Sequence, residues 1–184
     1  MSDDRERWNR RYAEGWPMEP SPFLESIADL LPRSGRALDV AGGNGRNALW
    51  LADRGLSVTV VDVSDAALTI AADAARARGL TLDLINADLQ RDALPVGPWD
   101  LILCFHYLQK GLFPKMIEAL APGGVLVCAI ATVRNLERHP RPPREHVLDE
   151  GELPGLVEGL AVVRYEEAWF DDHHEARLVA TRRP

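Results

Sequence analysis

The sequence predicts an α/β fold with a doubly wound parallel sheet, and three observations support this prediction. An apolar run that starts at Ala37 ends in an acidic residue and leads into a glycine-rich turn and the start of a helix. Strand-like and helix-like patterns then alternate as far as Ala131, which implies parallel strands joined by right-handed crossovers. The chain has 184 residues, 46% of them hydrophobic, which is enough for a single domain over residues 1–184 that buries a sheet between two helical layers.

The first 35 residues are predicted to form a helical cover. Ser2 is a plausible N-cap for a short helix, which places Trp8 and Tyr12 four residues apart so that the two rings share a face. A proline-rich hinge leads to Ser21 and Pro22, an N-cap followed by proline at the first helical position. The apolar stripe of this second helix consists of Phe23, Leu24, Ile27, Leu30 and Leu31, and Pro32 ends it.

Residues 36–132 are predicted to form a cofactor-binding core, and their first turn indicates which cofactor. Gly43 and Gly45 follow the first strand, where any β-carbon would collide with an approaching ligand. With Ala48 they satisfy the G-x-G-x-x-A form of the dinucleotide fingerprint. Asp39, however, places a carboxylate at the end of the strand, which suits a ligand with a positive ammonium group and would repel a pyrophosphate. The ligand that this turn implies is S-adenosylmethionine.

Acidic residues also follow the next two predicted strands. Asp62 closes the apolar run Ser57–Asp62, one helix and one strand beyond Gly45. An acid at this position can accept hydrogen bonds from both ribose hydroxyls, in a dinucleotide as well as in S-adenosylmethionine. Ser64 then caps a helix, and Asp88 follows a third strand.

This arrangement resembles the motifs of class I methyltransferases. Asp39, Gly43 and Gly45 are in register with the pattern D-x-G-x-G-x-G, with Ala41 where the first glycine is usual. Asp88 resembles the acid that faces the adenine amino group in that family. The resemblance implies a cofactor site made of Asp39, Gly43, Asn44, Gly45, Arg46, Asp62, Val63, Asp88, Leu89 and Phe105. Arg46 and Asn47, at the start of the helix, are expected to meet the cofactor carboxylate, and a solvated surface position is the alternative for Arg46.

Two further strands are predicted, from Trp99 to Phe105 and from Val125 to Ala131, with a Pro-Gly-Gly turn before the second that is similar to the class I pattern. His106 and Tyr107 come directly after the fourth strand and are the candidate catalytic residues. Methyl transfer requires mainly alignment and exclusion of water, and a general base only if the acceptor carries a proton of high pKa. The alternative for His106 is a residue that fills the connection between strand and helix.

The segment 133–147 is predicted to be a substrate-side loop, too polar and proline-rich for a core element. Four arginines and two histidines outnumber two glutamates here: Arg134, Arg138, Arg141, Arg144, His139 and His146, against Glu137 and Glu145. Such a loop would attract an anionic acceptor through Arg138 and Arg141, and a solvated connection is the alternative. Trp8 and Tyr12 are further candidates for substrate contact, as a lid over the cofactor or as packing at the sheet edge.

Residues 148–184 are predicted to form a helix and a hairpin. The helix would span Asp149 to Glu158, and the antiparallel strands Ala161 to Trp169 and Glu175 to Thr181. His173 and His174 fall in the turn, where no other ligand is near in sequence, so a metal site is not expected. Five parallel strands plus a C-terminal antiparallel hairpin are the layout of a class I methyltransferase, a Rossmann-like fold.

Composition limits the classes of partner. The net charge of −7 argues against a general nucleic-acid binder. No run approaches the roughly twenty apolar residues of a membrane span, and the acidic N-terminus is unlike a signal peptide. We therefore expect a cytoplasmic protein with a small-molecule acceptor and with no nucleic-acid or membrane partner. The oligomeric state is left open. Cys104 and Cys128 lack C-x-x-C spacing and are expected to be reduced core thiols.

Finally, the W-x-x-x-Y at Trp8, the segment from Pro20 to Leu24, the run from Gly45 to Ala48 and residues 153–167 together resemble the tellurite-resistance-type methyltransferases, which are small bacterial enzymes. The resemblance implies methyl transfer from S-adenosylmethionine, with S-adenosylhomocysteine as product, to an oxyanion such as tellurite, a thiol or a carboxylate. It does not fix the acceptor. A non-catalytic S-adenosylmethionine-binding regulator or scaffold is the alternative, followed by a nicotinamide-dependent oxidoreductase.

Overall fold

The structure is a computed structural model that describes residues 3–184. The predicted N-cap Ser2 lies outside the described residues. The chain divides into two compact units, one ending at Pro95 and the other spanning Val96–Pro184. None of the helices in the described residues has the length and apolarity that crossing a bilayer requires.

The first unit alternates helices with parallel strands. Its elements are α1 (Asp3–Ala13), α2 (Pro22–Ser26), β1 (Arg36–Val40), α3 (Arg46–Asp53), β2 (Ser57–Asp62), α4 (Asp65–Ala77) and β3 (Asp83–Asn86). The strand order is β3-β2-β1, and both pairings are parallel. The N-cap predicted at Ser64 is confirmed, since its hydroxyl accepts a hydrogen bond from the Ala67 amide at 3.1 Å.

The core of this unit lies around β1 and β2. Four consecutive residues of β1 and five of β2 are buried, which is the continuous pattern of parallel strands that are covered on both faces. The register pairs Asp39 with Val60 and Asp62 with Asn86. The carboxyl ends of the strands therefore bring two acidic residues to one edge.

The second helix is shorter than predicted. α2 ends at Ser26 and a 3-10 turn, Ala28–Leu30, follows, with Leu30 40% exposed. The Ser26 hydroxyl donates to the Phe23 carbonyl at 2.8 Å, a local bond that competes with continuation of the helix. Ser21 also makes no side-chain capping bond. The expectation of one helix as far as Leu31 is therefore wrong.

The second unit combines a parallel strand pair with an antiparallel hairpin. Its elements are β4 (Trp99–Phe105), α5 (Phe113–Ala119), β5 (Leu120–Ala131), α6 (Leu153–Leu156), β6 (Ala161–Phe170) and β7 (His173–Thr181). The order is β4-β5-β7-β6, in which β4 and β5 are parallel and β7 is antiparallel to both β5 and β6. The predicted α/β fold with parallel strands and a C-terminal hairpin is confirmed.

Two elements of this unit, β5 and α6, differ in extent from the prediction. β5 begins at Leu120, because the Gly123 amide and the Gly124 carbonyl pair with the backbone of Arg182 and the segment stays extended. The predicted helix from Asp149 to Glu158 is wrong. Only the single turn α6 forms, since Pro154 has no amide hydrogen and is tolerated only in the first turn of a helix.

The hairpin is also tighter than predicted. Asp171 and Asp172 alone separate its strands, with Asp171 in the left-handed region at φ 53°. His173 and His174 therefore belong to β7 and are not turn residues. His174 is buried, and its Nδ1 lies 2.7 Å from the Thr132 hydroxyl.

Candidate cofactor and active site

The turn between β1 and α3 has a backbone that requires small residues. Gly43 and Gly45 have positive φ angles of 56° and 73°. A β-carbon on Gly43 would lie 1.9 Å from the hydroxyl of Tyr12, and one on Gly45 would lie 2.9 Å from the β-carbon of Ala71. Both glycines are therefore needed for the packing of this turn as well as for its backbone.

Ala41 occupies the position where the methyltransferase pattern has its first glycine. Its φ is 53°, in the left-handed region. For a residue with a β-carbon this conformation costs roughly 1–2 kcal/mol. An alanine in place of the usual glycine therefore introduces local backbone strain.

The buried carboxylate of Asp39 lies directly below this turn. A β-carbon on Gly42 would be 2.7 Å from Asp39 Oδ2, so the carboxylate and the turn are in close contact. Within residues 3–184, Oδ2 has no hydrogen-bond partner. Burial, followed by the charge of Asp62, raises the pKa of Asp39 to about 7, although Arg46 and the Ala48 amide act in the opposite direction. A buried carboxylate oxygen of this kind needs a donor or a cation from a ligand.

Asp62 is buried beside the same turn, but its oxygens are already held. Oδ2 accepts the Gly43 amide at 2.9 Å, and Oδ1 accepts the Ser64 amide at 2.8 Å. Burial raises the pKa of Asp62, and these backbone amides partly offset that effect. Each carboxylate oxygen has a second acceptor site, so the group can still bind two hydroxyls.

Helix α1 places Tyr12 against the glycine turn, and the Tyr12 ring packs between those of Trp8 and Trp16. The ring centroid of Tyr12 lies 6.0 Å from that of Trp8 and 5.7 Å from that of Trp16. Burial and then the negative charges of Asp62 and Asp39 raise the pKa of the Tyr12 phenol. Tyr12 therefore remains a neutral hydrogen-bond donor at the turn. Its position favours the lid interpretation over edge packing.

Asn9 fastens α1 to the start of α4, which sequence analysis did not predict. Its Nδ2 donates to Asp65 Oδ1 at 2.8 Å, and its Oδ1 accepts from the Ser64 hydroxyl at 2.7 Å. Arg5 Nε lies 3.0 Å from the same Asp65 oxygen. Hydrogen bonds from Arg5 and Asn9 lower the pKa of Asp65 to about 2. The partners in these contacts are more than fifty residues apart in sequence, so no local sequence pattern predicts them.

The proline-rich hinge is also tied to the glycine turn. Asn44 Nδ2 donates to the Pro17 carbonyl at 3.0 Å. The Ser21 amide donates to Asn47 Oδ1 at 2.9 Å. Two buried asparagines therefore hold the hinge against the turn and the first residues of α3. Asn47, which was expected to meet the cofactor carboxylate, uses its side-chain oxygen to bind the hinge.

A pocket of about 320 Å³ opens beyond the ends of β2 and β3. It is lined by Arg5, Val63, Asn86, Ala87, Asp88, Arg91 and Asp92. Asn86 Nδ2 donates to the Val63 carbonyl at 2.9 Å and so fixes one wall. Asp88 Oδ1 accepts the Gln90 amide at 3.1 Å, and Leu89 is buried beside it. Val63 and Asp88, both predicted to bind cofactor, thus border one pocket.

In the second unit, His106 follows β4 with a strained backbone. Its φ is 56°, and its amide donates to the Ala129 carbonyl at 2.7 Å. The side chain is 48% exposed, and its Nδ1 lies 3.6 Å from Oε1 of the buried Glu175. Arg177 Nε binds the other oxygen of Glu175 at 3.1 Å. Sequence analysis missed Glu175, since a lone acid at the start of an antiparallel strand carries no signal.

Phe105 and Tyr107, on either side of His106, make local contacts. Phe105 is buried at the end of β4, with its ring edge-on to the imidazole and a centroid distance of 6.3 Å. The Tyr107 hydroxyl donates to Gln109 Oε1 at 2.7 Å. Tyr107 is therefore oriented by its own loop.

The segment 133–147 is anchored to the hairpin. Arg138 lies over the ring of Trp169 at 3.7 Å and 3.7 Å from Asp172 Oδ1. His139 Nε2 lies 2.7 Å from the Asp172 carbonyl oxygen. The predicted substrate-side loop is thus packed against the hairpin over part of its length.

Most of its arginines have acidic partners. Arg134 pairs with Glu137, and Arg144 pairs with Asp149. Among the described residues, Arg141 has no side-chain partner. The charge that remains for a ligand is therefore concentrated at Arg141. Residues 3–184 contain no group of three His, Cys, Asp or Glu side chains that could hold a metal ion.

Comparisons with known proteins agree with this arrangement. Residues 37–124 match the model of a methyltransferase domain. The tRNA 5-carboxymethoxyuridine methyltransferase of Escherichia coli K12 is 31% identical over 121 residues, which are 61% of this chain and 46% of that protein. The demethylmenaquinone methyltransferase of Thermus thermophilus is 33% identical over 128 residues, 66% of this chain and 52% of that protein. The chain spans about half the length of the curated relatives it matches.

A solved structure shows the same fold over almost the whole chain. The N-methyltransferase NodS of Bradyrhizobium japonicum, in complex with S-adenosylhomocysteine, superimposes with a TM-score of 0.74 and 21% identity and covers 98% of this chain and 99% of its own. S-adenosylhomocysteine is what remains of S-adenosylmethionine after methyl transfer, and S-adenosylmethionine is the cofactor that the turn after β1 predicts. Residues 37–124 are thus similar to a methyltransferase domain, and the strand order, glycine turn and acidic strand ends are those expected of the class I S-adenosylmethionine-dependent methyltransferases.

Proposed function

We propose that this chain transfers a methyl group from S-adenosylmethionine to a small acceptor, an oxyanion, a thiol or a carboxylate. The observation that carries the proposal is the buried Asp39 Oδ2, which has no partner among residues 3–184 and lies against the glycine turn. An unsatisfied carboxylate at this position matches the ammonium group of a cationic amino-acid ligand. A dinucleotide would bring phosphates to the same place and meet repulsion.

The residues of the first unit fit this cofactor. Asp39 would accept from the ammonium group, and Asp62 from the ribose hydroxyls, with its orientation fixed by two backbone amides. Val63 and Asp88 would enclose the adenine in the 320 Å³ pocket. Tyr12 would exclude water from the turn, which strengthens each of these polar contacts.

When bound, the cofactor supplies a methyl group on a positively charged sulfur that is already activated for displacement. The protein then has to align the acceptor and, where the acceptor is protonated, to take up its proton. His106 is suited to that role, since its ring is half-exposed beyond β4 and faces a buried carboxylate. An anionic acceptor needs alignment alone.

An RNA acceptor is a second candidate. The expectation that nucleic acid is excluded is not supported, because one relative is a tRNA methyltransferase. The net charge of −7 nevertheless disfavours extended contact with phosphates. In the loop, three of the four arginines pair with acidic residues.

The test is an acceptor panel that contains tellurite, selenite, small thiols, small carboxylates and bulk tRNA, with formation of S-adenosylhomocysteine as the measurement. We expect turnover with at least one small acceptor and none with tRNA. Turnover with tRNA alone would replace the proposal by the second candidate. Cofactor binding without turnover on any acceptor would favour the non-catalytic alternative.

The variant His106→Asn divides the acceptors by protonation state. For an acceptor that must lose a proton we expect kcat to fall by roughly 10²–10⁴, because a general base contributes about that much. For an acceptor that is already anionic we expect the wild-type rate. The affinity for cofactor, measured by calorimetry, should stay unchanged. Equal losses for both kinds of acceptor would assign His106 to packing.

A further inference from the structure

The topology of the second unit brings a buried acid to the end of β4. Because β7 runs antiparallel to β5, it starts at the edge where β4 and β5 end. The register pairs Phe105 with Ala129, Ala129 with Arg177 and Ala131 with Glu175. Glu175 thus lies on the edge that His106 occupies, although the two are separated by almost seventy residues in sequence.

One oxygen of the Glu175 carboxylate binds an arginine, and the other faces His106. Its side chain is 9% exposed. Arg177 Nε donates to Oε2 at 3.1 Å, and the guanidinium of Arg177 lies over the ring of Phe170 at 3.5 Å. Oε1 is left facing Nδ1 of His106 at 3.6 Å. This is an ion-pair distance, and catalytic hydrogen bonds of this kind commonly tighten when substrate binds.

His106 is itself constrained to this orientation. Its left-handed backbone at φ 56° is uncommon for a residue with a side chain, and the bond from its amide to Ala129 holds it. Strained conformations of this kind persist where the surroundings determine them, and they are concentrated at functional sites. The ring therefore places Nδ1 toward Glu175, and Nε2 is the nitrogen that does not face this carboxylate.

We propose that Glu175 is a positioning residue that selects the Nδ1–H tautomer of His106. A neutral imidazole carries its proton on one nitrogen, and an acceptor-only carboxylate at Nδ1 favours the proton there. Nε2 is then the nitrogen that carries the basic lone pair. The inference rests on the proposed function, in which His106 takes up the acceptor's proton.

The step is balanced without any further reactant. The acceptor's proton goes to Nε2, and the electron pair of the acceptor atom forms the bond to the methyl carbon. The bond from that carbon to sulfur breaks, and its electron pair stays on the sulfur. The imidazolium that results is stabilised by Glu175, and it returns its proton to solvent.

The kinetic test compares Glu175→Gln with Glu166→Gln. Glu166 is a matched control, since it is also a strand glutamate that pairs with an arginine two residues away, Arg164 at 2.6 Å. With a protonated acceptor we expect Glu175→Gln to lower kcat by about 10- to 1,000-fold with little change in KM, because the amide no longer favours one tautomer. Glu166→Gln should match the wild type. In a His106→Asn background, Glu175→Gln should cause no further loss.

The spectroscopic test needs no turnover. Nuclear magnetic resonance of ¹⁵N-labelled His106 should show a predominant Nδ1–H tautomer in the wild-type protein and in Glu166→Gln, and a clear shift toward Nε2–H in Glu175→Gln. Glu175→Asp, which keeps the charge, should restore the wild-type tautomer at least in part. Thermal unfolding establishes that each variant is folded.

The role of Glu175 and the proposed function can be contradicted separately. The same tautomer in wild type and Glu175→Gln would overturn the role of Glu175, even if the enzyme turns over its acceptor. Absence of turnover on every acceptor would overturn the proposed function, while the tautomer measurement would still decide what Glu175 does to His106.

Discussion

At the scale of single residues, hydrogen bonding distinguishes two buried acids that sequence patterns treat alike. Asp39 and Asp62 both end parallel strands, and both are less than 10% exposed. Asp62 accepts two backbone amides, whereas Asp39 Oδ2 has no partner in the described chain. The Asp62 carboxylate is therefore already held by hydrogen bonds, whereas Asp39 Oδ2 would gain a partner when a cationic ligand binds.

We expect Asp62→Ala to weaken S-adenosylmethionine binding by about 2–4 kcal/mol, since two charge-assisted hydrogen bonds to the ribose disappear together. The Gly43 and Ser64 amides also lose their acceptor, so the turn should become more mobile as well. Calorimetry with Asp73→Ala as control tests this, because Asp73 is exposed on α4. An unchanged affinity in a folded Asp62→Ala protein would remove Asp62 from the cofactor site.

Residue-level prediction from sequence worked where a residue follows a regular element. Asp62 and Ser64 were identifiable because a strand ends and a helix begins there, and both patterns have a fixed spacing. Asn9 and Glu175 were not, because their partners lie far away in sequence and neither has a characteristic neighbour. Ala41 was recognised as a departure, but its positive φ is a property of the folded turn.

At the scale of elements, α1 is positioned by few contacts. Its polar attachments to α4 pass through Asn9 and Arg5, and its apolar attachment passes through Tyr12. Most other residues of the helix are exposed. A short helix attached in this way depends on tertiary contacts for its stability.

We predict that Asn9→Ala loosens this helix and weakens cofactor binding, because it removes three side-chain hydrogen bonds, each worth roughly 0.5–1 kcal/mol. Amide exchange in α1 should become faster by roughly 10- to 100-fold, since about 1.4 kcal/mol corresponds to a factor of ten in an opening equilibrium. Arg10→Ala on the exposed side of α1 is the control. Equal exchange rates in Asn9→Ala and wild type would show that the helix is held without Asn9, by contacts such as those of Arg5 and Tyr12.

In the loop 133–147, the two arginines that were expected to bind the acceptor differ in their contacts. Arg138 is engaged by Trp169 and Asp172, whereas Arg141 is exposed and lacks a side-chain partner within the described residues. Arg141→Gln should therefore raise KM for an anionic acceptor without changing stability. Arg138→Gln should instead lower the free energy of unfolding by about 0.5–1 kcal/mol, the size of an exposed cation–π contact.

Steady-state kinetics at low and high salt, together with urea unfolding, provide the measurement. Exposed charges are screened over about 8–10 Å at physiological ionic strength, so added salt should reproduce the effect of Arg141→Gln. The idea that this loop attracts the acceptor would be lost if Arg141→Gln and wild type had the same KM at low salt.

At the scale of the whole molecule, the alternation of strand and helix patterns predicted the fold class because burial on both faces of parallel strands leaves long apolar runs. β2 and β4 were predicted with their observed boundaries for this reason. The errors lie where a local effect interrupts a pattern, as at Ser26 and Pro154. The packing of the loop against the hairpin depends on single contacts, which periodicity does not encode.

The buried acids also give the whole molecule a dependence of stability on pH. The pKa of Asp39 is about 7 in the folded protein, against 3.8 for an ordinary aspartate. Between these values the folded state holds a proton that the unfolded chain has released. Stability of the cofactor-free protein should thus fall as pH rises from about 4 to 7 and stay constant above that, as far as Asp39 is concerned.

Replacing Asp39 by Asn removes this dependence. At pH 4 the variant should be close to wild type, and at pH 8 it should be more stable by roughly 4 kcal/mol, from about 1.4 kcal/mol per pKa unit. Urea unfolding at the two pH values is the measurement, and Asp53→Asn, at the exposed end of α3, is the control.

The same variant should bind S-adenosylmethionine far more weakly, because its neutral amide cannot pair with an ammonium group. Wild-type affinity should increase with pH up to about 7 and then level off, with release of a proton from Asp39 on binding below that pH. Calorimetry in two buffers of different ionisation enthalpy counts this proton. A variant that is no more stable at pH 8, or wild-type binding without proton release at pH 6, would show that Asp39 is already ionised and has a partner in solution. The strand-end carboxylate would then be a structural acid, and selection of the cofactor would depend on Asp62 and the pocket beside it.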